Sequence, residues 1–88
     1  MVKYKILYSK ISQKDAQKLK ESGLDKKAKQ IIKILEGNPF KNPPPYEKLI
    51  GDLKGVYSRR INIKHRLIYQ VDRKKKIVRI LRMWTHYE

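Results

Sequence analysis

Three strand-like runs near the end of the chain constrain its fold more than any other feature. They cover residues 56–63, 66–72 and 76–84, where β-branched and aromatic side chains alternate with polar ones. The polar links between them, residues 62–65 and 72–75, are too short to hold a crossover connection. Strands joined by such short links pair antiparallel. The second half of the chain therefore predicts an antiparallel sheet.

The first half of the chain predicts one strand and two helices. Residues 3–9 alternate polar and apolar side chains, as a half-buried strand does. A short helix follows, with Ser12 and Asp15 as its capping signal and an end near Gly23. A second helix stops at Gly37. Its apolar positions at helical spacing are Leu24, Ala28, Ile31, Ile32 and Leu35. These two segments predict a helical hairpin.

Length and pattern together predict the fold class. Residues 1–88 are too few to form two stable cores, so we expect a single domain. The expected fold is α+β, with a short N-terminal strand, a helical hairpin, and an antiparallel sheet of three to four strands packed against the helices. Residues 38–46 hold all four prolines and predict a stiff strut that leads to Glu47. A proline-rich ligand for an SH3 domain is the alternative for this loop.

The period of two along a strand places two arginines on one face of the sheet. We expect Ile61 and Ile63 to face the helices, which leaves Arg60 on the open face. The residues expected to face the helices in the next strand are Leu67, Tyr69 and Val71. Arg66 then lies on the open face as well. The two arginines are therefore predicted to be neighbours.

The charge balance of the chain indicates an anionic partner. Lysine and arginine number 23 against 8 aspartates and glutamates, a formal net charge of +15. Such an excess destabilises a compact chain through self-repulsion, so we expect a polyanion or an acidic protein as partner. A high lysine content with no functional meaning is the alternative.

Composition also excludes several kinds of site. The chain has no cysteine, which excludes disulfides, thiolate zinc sites and a cysteine nucleophile. Carboxylates are scarce near His65 and His86, so we expect no metal, and we expect no cofactor. The N-terminus lacks the apolar run of a signal peptide, and no segment is apolar enough to span a bilayer. We therefore expect a cytoplasmic protein.

Several short motifs follow one another through the second half of the chain. They are Glu47-Lys48-Leu49, Leu53-Lys54-Gly55, Ser58–Ile61, His65–Tyr69 and His86-Tyr87. In this order they resemble the Txe/YoeB branch of the RelE/ParE toxin superfamily. The first half of the chain agrees with that family in layout and hardly in residue identity.

The resemblance implies a toxin of a toxin–antitoxin pair that cleaves mRNA on the ribosome. By position, Glu47 would be the general base and His86 the general acid. Arg66 would hold the scissile phosphate with help from Arg60, and Tyr87 would orient the RNA. The other residues expected to bind RNA are Arg59, Lys54 and Trp84. The expected partners are mRNA on the ribosome and a cognate acidic antitoxin.

The chemistry of RNA explains why these residue types suffice. RNA carries its own nucleophile, the 2′-hydroxyl, so a base, an acid and cations can break the chain without a metal. Each proton-transfer group contributes about 10²–10⁴ in rate. The expected products are a 2′,3′-cyclic phosphate and a 5′-hydroxyl end. Because a glutamate is a weak base near neutral pH, we expect weak cleavage of free RNA and strong cleavage on ribosomes.

Each of these assignments has a simpler alternative. Glu47 could be a surface carboxylate, His86 a residue of a frayed terminus, and Arg66 a solvated strand residue. We interpret His65 as a turn residue rather than a second catalyst. For Trp84 we favour packing, with base stacking as the alternative. Two other functions stay open: a non-catalytic module that binds RNA or ribosomes, and a gyrase-directed toxin of the ParE branch.

Overall fold

Two helices and five strands make up the fold in the computed structural model, which describes residues 3–43, 45–49 and 55–84. In chain order the elements are β1 (Lys5–Tyr8), α1 (Lys10–Ser22), α2 (Asp25–Gly37), β2 (Glu47–Lys48), β3 (Val56–Arg60), β4 (Arg66–Asp72) and β5 (Ile77–Arg82). The strands form one sheet in the order β1-β5-β4-β3-β2. The predicted α+β class, with two helices packed against a sheet, is confirmed.

The sheet is larger than expected and mixed rather than antiparallel. β1 pairs parallel with β5, from Lys5 beside Ile77 to Tyr8 beside Ile80, whereas the other neighbouring strands pair antiparallel. The additional strand is β2, which is two residues long. A strand of that length shows no alternation of its own, so periodicity could not reveal it.

Helix α1 begins earlier than its sequence pattern indicates. Ser9 is the N-cap, because its side-chain oxygen accepts a hydrogen bond from the Ser12 backbone N–H at 3.0 Å. Ser12 is therefore not the cap. The predicted end at Gly23 is confirmed, since its φ of 79° lies in the left-handed region that favours glycine.

Within the part of the chain that the structure describes, no helix has the length and apolar run that a bilayer span requires.

The main hydrophobic core lies between the helices and one face of the sheet. Its buried residues are Leu19, Ala28, Ile31, Leu35, Tyr57, Ile61, Leu67, Tyr69, Val78, Ile80 and Met83. The predicted core faces of the second helix and of β4 are thereby confirmed. Ile63, expected in this core, is 93% exposed. That expectation is wrong because β3 ends at Arg60, and the bend at residues 61–64 breaks the alternation.

The opposite face of the sheet carries a smaller apolar cluster. It consists of Leu49, Val56 and Ile68, with Leu81 packed against it. Leu49 follows β2, and the others lie in β3, β4 and β5. We call this side of the sheet the open face, because α1 and α2 pack on the other side. Polar residues of the strands can therefore meet there.

Asp15, expected to help cap α1, is instead buried against the end of β5. Its Oδ2 accepts hydrogen bonds from Arg82 Nε at 2.9 Å and from the Met83 backbone N–H at 3.0 Å. The residue is 2% exposed. Its carboxylate therefore joins a helix to a strand rather than closing the first turn of α1.

These contacts predict a pH dependence of stability. Burial alone would raise the pKa of Asp15, but hydrogen bonds from Arg82, Met83 and Trp84 outweigh it and hold that pKa below its ordinary value of 3.8. A carboxyl group whose pKa is lowered on folding stabilises the fold above its unfolded pKa. That contribution is lost as the pH falls through the folded pKa.

We therefore expect the wild type to exceed Asp15→Asn in unfolding free energy most clearly above about pH 5. The difference should shrink as the pH is lowered below 3.8, the ordinary pKa of the group, because the wild-type carboxyl group then becomes protonated too. Urea unfolding of both proteins at several pH values measures this. A difference that stays constant with pH would contradict the assignment.

Candidate active site

The open face of β2, β3 and β4 brings four polar side chains together. Glu47 of β2 pairs with Ser58 of β3, and Arg60 of β3 pairs with Arg66 of β4. Paired residues of neighbouring strands project from the same face, and alternate residues of one strand share a face. All four side chains line a cavity of about 230 Å³. The prediction that Arg60 and Arg66 share the open face is confirmed.

Glu47 and Arg66 form an ion pair at this cavity. Arg66 Nη1 donates to Glu47 Oε2 at 3.0 Å and to the Ser58 hydroxyl oxygen at 3.4 Å. The Glu47 side chain is 65% exposed and that of Arg66 is 19% exposed. Pairs of such exposure contribute only roughly 0–1 kcal/mol to stability. The pair therefore contributes little to the stability of the fold.

The arrangement can bind a phosphate group of a substrate and accept a proton from a neighbouring group of the same substrate. A guanidinium binds phosphate oxygens through paired, charge-assisted hydrogen bonds. A carboxylate beside it can accept a proton from a group next to that phosphate. The cavity has room for a group several times the volume of a water molecule, which is about 30 Å³. Base and anion-binding cation are thus available together.

Ser58 is a site residue that sequence reasoning missed. It is 1% exposed, and its hydroxyl oxygen accepts a hydrogen bond from Arg66 Nη1 at 3.4 Å. The serine is the first residue of the Ser58–Ile61 motif, and this position is the feature of the sequence that could have identified it. The residue type alone predicts no role in the site. Its contact with Arg66 depends on how two strands pair, and periodicity within one strand does not report that.

Arg59, expected to bind RNA, is a buried structural residue. It is 1% exposed. Its Nε donates to the Tyr69 hydroxyl at 3.1 Å, and its Nη2 donates to the backbone carbonyls of Pro39 at 3.0 Å and Lys41 at 2.9 Å. The period of two that places Arg60 on the open face places Arg59 inside. The RNA-binding expectation for Arg59 is therefore wrong.

Arg59 instead ties the proline-rich loop to the sheet just before Glu47. Tyr46 packs edge-on against Phe40 and Tyr57, with ring centroids 6.1 and 5.7 Å apart. The Arg59 guanidinium lies 5.0 Å from the centroid of the Tyr46 ring. The predicted strut between helix and sheet is confirmed by these contacts. They hold the chain where β2 begins and so determine where Glu47 is placed.

Trp84 is partly buried and packs against the core, as the favoured interpretation expected. Its ring stacks on His65 with centroids 3.8 Å apart and planes 20° apart, and it also packs against the main core. His65 is 6% exposed, and its backbone N–H donates to the Asn62 side chain at 2.7 Å in the β3–β4 loop. The interpretation of His65 as a turn residue is confirmed. Base stacking on Trp84 stays a prediction.

Three of the predicted site residues lie outside the described part of the chain. They are Lys54, His86 and Tyr87. Their roles as an RNA-binding cation, a general acid and an RNA-orienting side chain stay predictions.

Comparison with known sequences gives a family match over most of the chain. The family described as "YoeB-like toxin of bacterial type II toxin-antitoxin system" matches residues 8–87. Toxin YoeB of Streptomyces coelicolor is 42% identical over 45 residues, which cover 51% of this chain and 54% of that protein. The chain thus spans about half the length of this relative.

Solved structures share the fold over nearly the whole chain. The YoeB/ParE toxin from Agrobacterium tumefaciens is similar with a TM-score of 0.84 at 26% identity, covering 94% of this chain and 99% of that one. A chain of the YoeB-YefM complex from Staphylococcus aureus is similar with a TM-score of 0.79 at 31% identity, covering 96% and 98%. With the match over residues 8–87, these likenesses show that the chain belongs to the family of YoeB-like toxins of bacterial type II toxin–antitoxin systems.

Proposed function

We propose that this toxin is an endoribonuclease that cleaves mRNA on the ribosome by attack of a 2′-hydroxyl on the adjacent phosphate. The observation that carries the proposal is the pair of Glu47 and Arg66, whose Oε2 and Nη1 atoms lie 3.0 Å apart at an open cavity. A base next to a phosphate-binding cation is what this attack requires. Membership of a toxin family supports the same conclusion.

Each group has one part in the proposed reaction. Glu47 accepts the proton of the 2′-hydroxyl, whose oxygen forms a bond to phosphorus. The bond between phosphorus and the 5′ oxygen breaks, and His86 donates a proton to that oxygen. Arg66 and Arg60 stabilise the charge that builds on the phosphoryl oxygens, and Tyr87 orients the RNA. The products are a 2′,3′-cyclic phosphate and a 5′-hydroxyl end.

The exposure of Glu47 supports a site that the ribosome completes. At 65% exposure, water competes with the substrate for the carboxylate and weakens electrostatic contacts around it. Binding to the ribosome would exclude that water and strengthen the same contacts. The net charge of +15 supports binding to a large RNA surface. We therefore propose strong cleavage on ribosomes and weak cleavage of free RNA.

An antitoxin with an acidic, partly disordered segment is the proposed protein partner. The Staphylococcus aureus relative was solved as a YoeB-YefM complex, and this chain carries a net charge of +15. An acidic segment that becomes ordered over the basic open face would cover the cavity. Affinity measured at low and high salt tests this. Strong weakening by salt is expected, and salt-insensitive binding would contradict it.

Arg66→Lys is expected to slow cleavage although it keeps the positive charge. A lysine ammonium is a compact point charge and cannot make the planar, paired contacts of a guanidinium with a phosphate. We expect a loss of about 10–100-fold in the single-turnover rate on ribosomes. Lys48→Arg, at an exposed position of β2, is the matched control and should cleave at the wild-type rate. Equal rates for Arg66→Lys and the wild type would exclude bidentate phosphate binding by Arg66.

The decisive experiment compares one mRNA on programmed ribosomes and free in buffer, with the 5′ ends mapped after incubation with the toxin. We expect cuts within the codon of the ribosomal A site, with 2′,3′-cyclic phosphate ends, and few cuts in the free mRNA. A substrate with deoxyribose at the cleaved position lacks the nucleophile and should survive. Tight ribosome binding without any cut would instead indicate a non-catalytic RNA-binding module.

A further inference from the structure

The first turns of α1 carry lysines at positions that are unfavourable for a helix. Lys10 is the first residue after the N-cap, and the first turn holds no acidic residue. The helix dipole is positive at this end, so a cation there is destabilising. Lys14 and Lys18 follow at intervals of four, which places like charges beside one another on the helix surface. We call Lys10, Lys14 and Lys18 the α1 stripe.

The α1 stripe faces solvent without a counter-charge that would offset this repulsion. All three lysines are exposed. None of the ion pairs formed among the described residues includes a lysine of the stripe. Asp15 lies between them in the sequence, but its carboxylate is buried and accepts hydrogen bonds from Arg82 and Met83. The charges of the stripe are therefore available to an external anion.

The stripe begins at the end of the sheet where the candidate active site lies. The Ser9 hydroxyl, at the start of α1, donates to the Leu81 backbone carbonyl at 2.9 Å, which joins α1 to the end of β5. Trp84, just after β5, stacks on His65 in the β3–β4 loop with ring centroids 3.8 Å apart. That loop connects the ends of β3 and β4 that carry the two arginines of the cavity. The stripe and the cavity thus start from the same edge, on opposite faces of the sheet.

The length and chemistry of the stripe suit a phosphate backbone. Its first and last lysines are eight positions apart, which corresponds to about 12 Å along a helix. That length covers several neighbouring phosphates of an RNA strand, and lysine binds a phosphate as a point charge. A protein segment that becomes ordered on binding also needs apolar side chains to bury. In α1, which the structure describes completely, Ile11 is the one large hydrophobic residue that is exposed, so a polyanion fits this face better than an acidic protein.

We propose that the α1 stripe binds the phosphate backbone of ribosomal RNA and so holds the toxin on the ribosome. This inference rests on the proposed function and names the surface through which the ribosome is bound. Phosphate contacts fix the position and orientation of a protein without reading sequence. The open face, on the other side of the sheet, stays available to mRNA and to the antitoxin.

Replacing the three lysines by glutamine tests the proposal through affinity rather than cleavage. Lys10→Gln/Lys14→Gln/Lys18→Gln, the stripe variant, should bind programmed ribosomes about tenfold or more weakly than the wild type. The slope of log affinity against log salt concentration should fall by about one for each lost phosphate contact. An mRNA with deoxyribose at the cleaved position keeps the complex uncut during this measurement. At saturating toxin, the single-turnover rate on ordinary mRNA should stay within about threefold of the wild type, because the residues that line the cavity are unchanged.

Lys26→Gln/Lys27→Gln/Lys75→Gln is the matched control, because it removes the same charge from exposed positions of α2 and the β4–β5 turn. Its ribosome affinity should stay within about threefold of the wild type. Urea unfolding checks the fold of both variants. The stripe variant should be no less stable than the wild type, since unfavourable charges have been removed from α1.

The outcomes separate this inference from its alternatives. Equal losses of ribosome affinity in the two triple variants would assign the effect to net charge and overturn the proposal. Wild-type ribosome affinity together with a weakened antitoxin complex would assign the stripe to an acidic protein and overturn it as well. A wild type that binds ribosomes without cutting mRNA would overturn the proposed function, whereas loss of that binding in the stripe variant would still support the role of the stripe.

Discussion

Glu47→Gln should cleave ribosome-bound mRNA about 10²–10⁴-fold more slowly than the wild type. Glutamine keeps the size of the side chain and an oxygen that can accept the hydrogen bond from Arg66 Nη1, which is 3.0 Å long in the wild type. The amide cannot take up the proton of the 2′-hydroxyl, however. His86→Gln should lose a factor in the same range because the 5′ oxygen would leave without a proton. Together the two changes should abolish detectable cleavage.

Single-turnover rates on programmed ribosomes measure these losses, and ribosome affinity is the control. The 23 lysines and arginines are unchanged in both variants, so affinity should stay within about threefold of the wild type. Cleavage by the double variant would exclude Glu47 and His86 as base and acid. Loss of both cleavage and ribosome binding would indicate damage to the fold instead.

Arg59→Met is expected to lower the unfolding free energy by about 2–5 kcal/mol. Methionine fills part of the space, but the Lys41 carbonyl and the Tyr69 hydroxyl each lose a donor, at 2.9 and 3.1 Å in the wild type. The Tyr69 hydroxyl keeps its bond to the Pro39 carbonyl at 3.2 Å, so the cost comes from the lost charge-assisted hydrogen bonds, about 1.5–3 kcal/mol each, and from the space that methionine leaves unfilled. A domain of this length has only about 4–13 kcal/mol in total, so the variant should be close to unfolding.

Arg60→Met is the matched control, because it makes the same change one position along β3 on an exposed side chain. It should alter the unfolding free energy by less than about 0.5 kcal/mol. Urea unfolding monitored by circular dichroism measures both variants. If Arg59→Met were as stable as Arg60→Met and bound RNA more weakly, the RNA-binding role would return to Arg59.

The contrast between these two arginines illustrates what local pattern can predict. Alternation along β3 separates Arg59 from Arg60, whereas their charge alone predicts RNA binding for both. Charged residues are mostly exposed, but a charged side chain can be buried where other groups accept the hydrogen bonds of its N–H donors. Two partners of Arg59 lie in the loop after α2, 18 and 20 positions away along the chain, and a third, Tyr69, lies in β4.

Glu47, Arg60 and Arg66 of the candidate site were predictable from the sequence, whereas Ser58 and the contacts among the four residues were not. The resemblance to a toxin family indicates Glu47 and Arg66 as site residues. The period of two along the strand places Arg66 on the open face. The ion pair between them spans 19 positions along the chain and depends on the pairing of β2 with β3 and of β3 with β4. Ser58 joins the pair for the same reason. Strand pairing depends on contacts between segments that are distant along the chain, so the pattern within one segment does not predict it.

The sequence by itself determined the helical hairpin, the core face of β4, the end of α1 at Gly23, and the excess of positive charge. The helices, the core face and the helix end depend on periodicity and backbone preference, which are local properties of a few residues. The excess charge depends on composition, which is summed over the whole chain. Only the tertiary structure decided that Asp15 is buried and which distant groups bond to Arg59. A buried charge is tolerated where distant groups bond to it, and for Asp15 those groups lie at the end of β5, 67 and 68 positions away.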